Sequence, residues 1–150
     1  MFDENEINQH KRRNRKRRRL GMRSPKCGQC GETDPLALVT RTTCYECTAK
    51  ANGQVPIENH HLAGRQNDPF TLSVPGNDHQ ILSDSQRDWP YETLRNPTGD
   101  PLVKIAATLR GWLDLLTVAI KRILGWIPEF LERVARYLVK ALGPDWWTQI

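Results

Sequence analysis

Hydrophobic residues are scarce in this chain, since they make up 38% of its 150 residues. Most of the Leu, Ile, Val and Trp lie in the last third, so the first hundred residues are polar and rich in turn-forming residues. A region of that composition buries too little apolar surface to fold well alone, and it needs a bound metal or a partner surface. The length fits one ordinary domain or two very small ones.

Two kinds of targeting segment are not found in the sequence. The first 20 residues contain no apolar stretch of the kind that marks a secretory signal peptide. The most apolar region falls short of the ~18 uncharged residues that a membrane span needs. Four charges interrupt it: Arg110, Asp114, Lys121 and Arg122. We therefore expect a cytoplasmic protein in a reducing compartment, where cysteines are metal ligands more often than disulfides.

Positive charge is concentrated in one short segment. The net charge is +5, but residues 11–19 (KRRNRKRRR) carry eight of the 22 Lys and Arg side chains, so the rest is net negative. Such a run is disordered alone and binds polyphosphates by releasing their counterions. A solvated tail and a nuclear-import signal are the alternatives. The predicted nucleic-acid-binding residues are Lys11, Arg12, Arg13, Arg15, Lys16, Arg17, Arg18 and Arg19.

The four cysteines form two CxxC pairs, Cys27 with Cys30 and Cys44 with Cys47, separated by 13 residues. Each pair can place two thiolates on one ion through a tight turn, and two such turns complete a tetrahedral four-cysteine site for Zn²⁺. Residues 36–43 between the pairs are β-prone. The pattern predicts a zinc ribbon with a structural role, because a closed site of four thiolates has no open position for a reaction.

Downstream of the cysteines, the composition predicts two strands and a short helix. Pro56 prevents a helix at the start of this region, and Pro75-Gly76-Asn77 ends the second strand and offers a helix N-cap. Ile81 and Leu82 are expected to face inward. The predicted elements are a strand over 55–61, a loop over 64–69, a strand over 70–74 and a helix over 78–88.

Three histidines in this region carry a resemblance to a known family. The pair His60-His61 on the first strand, the Gly64-Arg65 turn and His79 at the start of the helix resemble the HNH endonucleases, which have the ββα-metal fold. The resemblance covers roughly residues 55–90. It implies that His60 and His79 bind a catalytic metal and that His61 is the general base, a role suited to an imidazole pKa near the working pH.

The resemblance also shows where this chain departs from the family. Thr71 stands at the place of the family's central Asn, and Ser83 at the place of a third metal ligand on the helix. Glu58 or Asp78 can supply that ligand instead. Arg65 is a candidate phosphate clamp, because a guanidinium binds two phosphate oxygens at once. The implied catalytic metal is Mg²⁺, Mn²⁺, Ni²⁺ or Zn²⁺, and imidazole ligands favour the transition metals.

The C-terminal third has a helical pattern. Asp100 is an N-cap candidate and Pro101 suits a first helical turn. The ten charged residues between 104 and 140 fall within an arc of about 140° at 100° per residue, with apolar residues opposite. This pattern predicts one kinked helix or two helices joined near 125–128. Residues 102–142 are expected to fold back as a hairpin, form a homodimer or dock on a larger complex; a membrane surface is the least favoured partner.

Together these patterns predict an α+β protein with two possible functions. One is a metal-dependent HNH endonuclease that hydrolyses phosphodiester bonds in DNA, with RNA as the alternative substrate. The other is a catalytically degenerate HNH-like zinc protein that binds nucleic acid or scaffolds a larger complex. The predicted regions are a disordered basic arm over 1–24, a four-cysteine zinc ribbon over 25–54, a ββα-metal module over 55–98 and amphipathic helices over 99–150.

Overall fold

The computed structural model of the protein describes residues 4–21 and 24–149. Helices predominate, and the sheet found among these residues has two strands. In chain order the elements are α1 (Glu4–Leu20), α2 (Tyr45–Ala51), β1 (Ile57–His60), β2 (Leu72–Pro75), α3 (Gly76–Gln86), α4 (Tyr91–Arg95), α5 (Pro101–Leu124) and α6 (Ile127–Leu142). Short 3-10 helices lie at Pro35–Ala37 and Trp146–Gln149. None of the described helices has both the length and the apolar character needed to cross a bilayer.

The two strands form an antiparallel hairpin that packs against α3. Glu58 pairs with Val74, and His60 pairs with Leu72. Because side chains alternate across a strand, these four residues lie on one face of the hairpin. His60 and Val74 are buried there. The order of strand, loop, strand and helix thus agrees with the pattern predicted from the sequence.

The boundaries of these elements differ slightly from the predicted ones. Both strands are shorter, and α3 begins and ends two residues before the predicted helix over 78–88. Ile81 and Leu82 are buried, as predicted. Pro75 occupies the N-cap position of α3 and makes no side-chain hydrogen bond, so the predicted N-cap within Pro75-Gly76-Asn77 does not form.

The strands of the predicted ribbon do not form between the two CxxC pairs in the described chain. A 3-10 helix over Pro35–Ala37 and one antiparallel bridge between Leu38 and Cys44 take their place. Asp34 starts it by accepting a hydrogen bond from the backbone N–H of Leu36 at 2.9 Å. Cys44 is the N-cap of α2, and its Sγ accepts a hydrogen bond from the N–H of Cys47 at 3.5 Å. These two caps outweigh the β-propensity of residues 36–43, which depends on packing context.

The basic segment is a helix, so the predicted disorder is wrong for the described residues of that arm; residues 1–3, 22 and 23 lie outside them. Arg12 forms a double ion pair with α3 and the residues that follow it. Its Nε lies 2.7 Å from Oδ1 of Asp84, and its Nη2 lies 2.5 Å from Oδ2 of Asp88. These contacts hold α1 against the rest of the fold.

Two further contacts hold α1 in place. Arg13 pairs with Asp34 at 3.1 Å, beside the 3-10 helix. Leu20, at the end of α1, is buried in a cluster with three of the four cysteines. The acidic partners neutralise part of the positive charge that would otherwise favour an extended, solvated chain.

The described chain divides into two compact units, Met1–Leu115 and Leu116–Ile150, and the boundary falls within α5. In the first unit, α5 begins after Asp100, which accepts a hydrogen bond from the N–H of Leu102 at 2.7 Å. The expected N-cap is therefore confirmed. In the second unit α6 ends at Gly143, whose φ of 97° is one that glycine adopts easily.

The start of α5 packs on the ββα element. Ala107 is fully buried in a cluster with Ala63 and Trp89. Gly111 approaches so closely that an added Cβ would lie 1.9 Å from the carbonyl oxygen of Leu62. Such an approach is possible only without a side chain, so Gly111 is required by the packing rather than by the helix.

The amphipathic C-terminal region forms two separate helices, α5 and α6, rather than one kinked helix. Helix α5 ends at Leu124, and α6 begins at Ile127 with Pro128 in its first turn, where a proline is well tolerated. Large apolar side chains of α6 are exposed, among them Phe130, Leu131 and Tyr137.

Candidate functional site

The four cysteines form a cluster that can hold a metal ion such as Zn²⁺. Their Sγ atoms all lie within 4.8 Å of one another, and the Sγ atoms of Cys30 and Cys44 are 3.5 Å apart. Tetrahedral Zn²⁺ with Zn–S bonds of about 2.3 Å separates its sulfurs by roughly 3.8 Å, which fits this arrangement. Cys27, Cys44 and Cys47 are buried, whereas Cys30 is exposed. The predicted ligand set is therefore brought together, on a scaffold that is not a ribbon.

The backbone around Cys27 favours the thiolate that a metal needs. Burial by itself raises the pKa of Cys27, but N–H groups of Cys30, Gln29 and Cys44 outweigh it and lower the pKa to about 6. Burial raises the pKa of Cys47. A cation at the centre of the cluster would offset that cost, because coordinated thiols are deprotonated outright.

Asn77 joins the cysteine region to α3, a role that the sequence did not indicate. Its Oδ1 accepts a hydrogen bond from the N–H of Glu46 at 3.2 Å, and its own N–H donates to the Glu46 side chain at 3.3 Å. Its Nδ2 donates to Oε2 of Glu32 at 3.4 Å. Asn77 lies two residues before His79, so the cysteine region and the histidine region share a buried polar connection.

His60 and His61 have different surroundings. His60 ends β1 and is 3% exposed, whereas His61 follows the strand and is half-buried. Nδ1 of His61 lies 3.3 Å from the backbone oxygen of Asp68. A carbonyl oxygen can only accept a hydrogen bond, so this contact favours a proton on Nδ1, and in the neutral ring Nε2 then keeps its lone pair. That is the tautomer that a general base requires.

His60 is kept neutral by its environment. Burial, followed by the electrostatic interactions of His60 with His79 and His61, lowers the pKa of His60 to about 4. Its ring meets the ring of His79 edge to face, with centroids 5.3 Å apart. A neutral imidazole has the lone pair that a metal ligand needs at pH 7.

Gln86 fixes the turn that follows β1. Its Nε2 donates hydrogen bonds to the backbone oxygens of His61 at 2.7 Å and Leu62 at 3.3 Å. The same Nε2 lies 3.2 Å from Nε2 of His60. The amide therefore positions both histidines from the last residue of α3.

His79 contacts a carboxylate. Its Nδ1 lies 2.5 Å from Oε2 of Glu58, which shares the hairpin face of His60. An imidazole lone pair and a carboxylate repel each other at that distance unless a proton or a cation lies between them. Both side chains are partly exposed, 24% for His79 and 43% for Glu58, so the pair can be reached from solvent. Glu58, one of the two carboxylates that the sequence offered as a substitute ligand, therefore contacts His79.

The remaining predicted residues lie at the edges of this group. Thr71 immediately precedes Leu72, the partner of His60 in the hairpin, and is half-buried. Arg65 is exposed in the turn region between the strands. Ser83 lines a cleft between α3 and α1. These three residues are therefore not brought together with the Glu58, His60 and His79 group by any hydrogen bond or ion pair described here.

Asn67 holds the loop between the strands in place. Its Nδ2 donates to the backbone oxygens of Ala63 at 2.9 Å and of Thr93 at 2.8 Å, the latter in α4. Its side chain is buried, and it supports the turn that carries His61. Only a tertiary structure shows this role, because the two acceptors lie 4 and 26 residues away in the sequence.

Comparison with known proteins found no relative of this chain. No protein-family model, curated protein or solved structure matches the chain. Among the described residues, the four cysteines are the only group of three or more His, Cys, Asp or Glu whose ligand atoms all lie within 4.8 Å of one another.

Proposed function

We propose that the protein is a metal-dependent endonuclease of the HNH type that hydrolyses phosphodiester bonds in DNA. The observation that carries this proposal is the contrast between two adjacent histidines. His60 is buried and neutral beside His79, whereas His61 is turned toward a backbone carbonyl that leaves its Nε2 free to accept a proton. Two imidazoles with two environments support two separate roles.

The proposed base is His61. Its Nε2 takes a proton from the attacking water, the water oxygen bonds to phosphorus, and the bond from phosphorus to the leaving oxygen breaks. Gln86 and the carbonyl of Asp68 hold the backbone and the ring of His61, so that the lone pair keeps one direction. General-base catalysis of this kind contributes about 10²–10⁴-fold in rate.

The residues that would hold a catalytic cation are Glu58, His60 and His79. Their chemistry fits a divalent ion, because the set combines a carboxylate oxygen with two imidazoles, and the close approach of Glu58 to His79 calls for a positive charge or a proton between them. A divalent ion held by these three residues would supply positive charge to stabilise the transition state and the leaving oxygen.

Cleavage of supercoiled plasmid tests the proposal. The zinc-loaded protein is incubated with DNA in Mg²⁺, Mn²⁺, Ni²⁺ or Zn²⁺, and we expect nicked or linear products in at least one of them. His61→Ala should lose on the order of 10²–10⁴-fold in rate. His10→Ala, which removes an exposed histidine on α1, is the matched control and should cut normally. Intact DNA in every metal, or equal cutting by His61→Ala, would exclude the enzyme.

A second candidate function is a non-catalytic zinc protein that binds nucleic acid. It is favoured by one contact, the amide of Gln86 against Nε2 of His60, which occupies an atom that a metal would use. Counting metals per chain distinguishes the two candidates. A second ion that is lost in His60→Ala supports the endonuclease, and a single ion in both proteins supports the binding protein.

A further inference from the structure

A basic cleft runs between α1 and α3 next to the histidine group. Its volume is about 280 Å³, and it is open on one side. Arg15, Lys16 and Arg19 line it from α1. Arg87 lines it after the end of α3, where it is largely exposed and its Nη1 makes only a long contact of 3.7 Å with Oδ1 of Asp84. On the α3 side the lining consists of two neutral polar side chains, Gln80 and Ser83, and of Asp84, whose carboxylate is paired with Arg12.

The basic residues of α1 divide into two sets. Arg12 and Arg13 are engaged by the carboxylates of Asp84, Asp88 and Asp34. Their charges are therefore neutralised within the fold, and they fasten the helix in place. Such internally paired guanidiniums have little capacity left for a second anion.

The second set points into the cleft. Arg15 and Arg19 are one helical turn apart, and Lys16 lies between them on the same side of α1. Burial, followed by the charge of Arg19, lowers the pKa of Lys16. An anion in the cleft would offset the repulsion between these two cations.

We propose that this cleft binds consecutive backbone phosphates of the nucleic acid, and that Arg15, Lys16, Arg19 and Arg87 are its phosphate ligands. The proposal rests on the proposed function for the identity of the polymer. A row of cations along a helix axis matches a linear polyanion, and each guanidinium can bind two phosphate oxygens. Gln80 and Ser83 can add neutral hydrogen bonds of the kind that proteins use to position a phosphate backbone.

The position of the cleft supports a nucleic acid rather than an acidic peptide. Gln80 lines the cleft and immediately follows His79, and its Nε2 lies 3.5 Å from Nδ1 of His79. A strand held in the cleft would thus pass beside the group proposed to act on a phosphodiester bond. An acidic peptide has no phosphodiester bond on which that group could act.

Binding of a fluorescein-labelled 30-base-pair DNA to the zinc-loaded full chain, without other divalent metals, tests the proposal by anisotropy at several salt concentrations. The cleft variant is Arg15→Ala with Lys16→Ala and Arg19→Ala. The control is Lys11→Ala with Arg17→Ala and Arg18→Ala, which removes the same charge from the same helix outside the cleft. We expect the cleft variant to lose affinity by on the order of 10²-fold at ~0.1 M salt and to lower the salt slope by roughly three.

The control should lose less than about tenfold in affinity and change the slope by less than one. Arg87→Ala leaves α1 intact and should lower the slope by about one, which separates lost binding from lost folding. Equal losses of affinity in both triple variants would overturn the proposal. It would also be overturned if poly-glutamate displaced the labelled DNA as well as unlabelled DNA does at the same concentration of charge.

The outcomes of this test and of the cleavage test are distinguishable. Cleft-dependent binding without cleavage in any metal would exclude the endonuclease and support the phosphate cleft. Cleavage that requires His61, together with equal losses of affinity in the two triple variants, would support the endonuclease and exclude the phosphate cleft.

Discussion

Oε2 of Glu58 on β1 and Nδ1 of His79 on α3 are 2.5 Å apart. This contact is made across the interface between the hairpin and the helix, on the face that also carries His60. A strand and a helix thus each contribute an electron-rich atom to one point at the protein surface. That arrangement makes Glu58 as important to the site as the histidines that the sequence brought to notice.

Replacement of Glu58 by Gln should weaken binding of Mn²⁺ or Ni²⁺ to the zinc-loaded protein. The carboxylate charge is lost while the shape is kept, so we expect a decrease in affinity of about 10–100-fold, as measured by isothermal titration calorimetry. Asp78→Asn removes the same charge from the residue next to His79 and is the matched control. Equal affinities of Glu58→Gln and the unchanged protein would show that Glu58 is not a ligand.

Removal of the Arg12 side chain should destabilise the fold. Arg12→Ala would leave Asp84 and Asp88 as buried carboxylates without their guanidinium, and loss of one partner of a buried ion pair costs about 3–5 kcal/mol. Urea unfolding should therefore show a fall of roughly 3 kcal/mol in the free energy of unfolding. Arg12→Lys should restore less than half, because one ammonium cannot match both carboxylates as a guanidinium does.

A surface arginine of the same helix provides the comparison for Arg12. Arg18 is exposed, and Arg18→Ala should change the free energy of unfolding by less than about 0.5 kcal/mol. If both variants unfold at the same urea concentration, the ion pairs of Arg12 contribute nothing to stability.

Loss of the cysteine-bound metal should loosen the first half of the chain. Cys44→Ser removes a buried ligand that also caps α2, and Leu20 at the end of α1 packs in the same cluster. Since the free energy of binding a structural Zn²⁺ contributes to the free energy of folding, we expect Cys44→Ser to have a lower melting temperature. We also expect native mass spectrometry to find no zinc retained by this variant. His60→Ala should keep one zinc per chain. Retention of zinc by Cys44→Ser would contradict the assignment of all four cysteines as ligands.

The carboxyl group of Asp114 should make stability depend on pH. Burial raises its pKa, although the hydrogen bond from Nε1 of Trp89, 3.0 Å from Oδ2, acts in the opposite direction. Above its ordinary pKa near 3.9 the unfolded chain loses this proton before the folded chain does, so stability falls as pH rises through the folded-state pKa. Asp114→Asn keeps an acceptor for Trp89 and should raise the melting temperature at pH 7.

The advantage of Asp114→Asn should shrink as the pH approaches 4, where the carboxyl group becomes protonated in both states. Glu92→Gln removes a charge from an exposed position and should show no such trend. A melting temperature difference for Asp114→Asn that is constant from pH 4 to pH 8 would rule out this titration as its cause.

Local sequence patterns were sufficient to predict the parts of the molecule that depend on local geometry. The spacing of two residues within each cysteine pair brings two thiols together whatever surrounds them, and the four Sγ atoms do converge. Adjacent histidines at a strand end necessarily differ in direction, and His60 and His61 differ in burial. Periodicity also placed Ile81 and Leu82 inside.

Long-range contacts account for what the sequence did not predict. The helical state of α1 depends on Arg12 meeting carboxylates 72 and 76 residues away, and a charge run carries no sign of such partners. Glu58, Asn77 and Gln86 are ordinary polar residues until the fold brings their acceptors and donors near. The ribbon prediction was wrong because β-propensity between the cysteines gave way to the caps at Asp34 and Cys44.

The contact between Gly111 and the carbonyl of Leu62 has a consequence for how the chain can be shortened. A fragment that stops at the end of the ββα element would expose the back of the turn that follows His61, and water would replace a helix there. A fragment that keeps this contact must extend at least through Gly111, three turns into α5. Those three turns cover the back of the turn that follows His61.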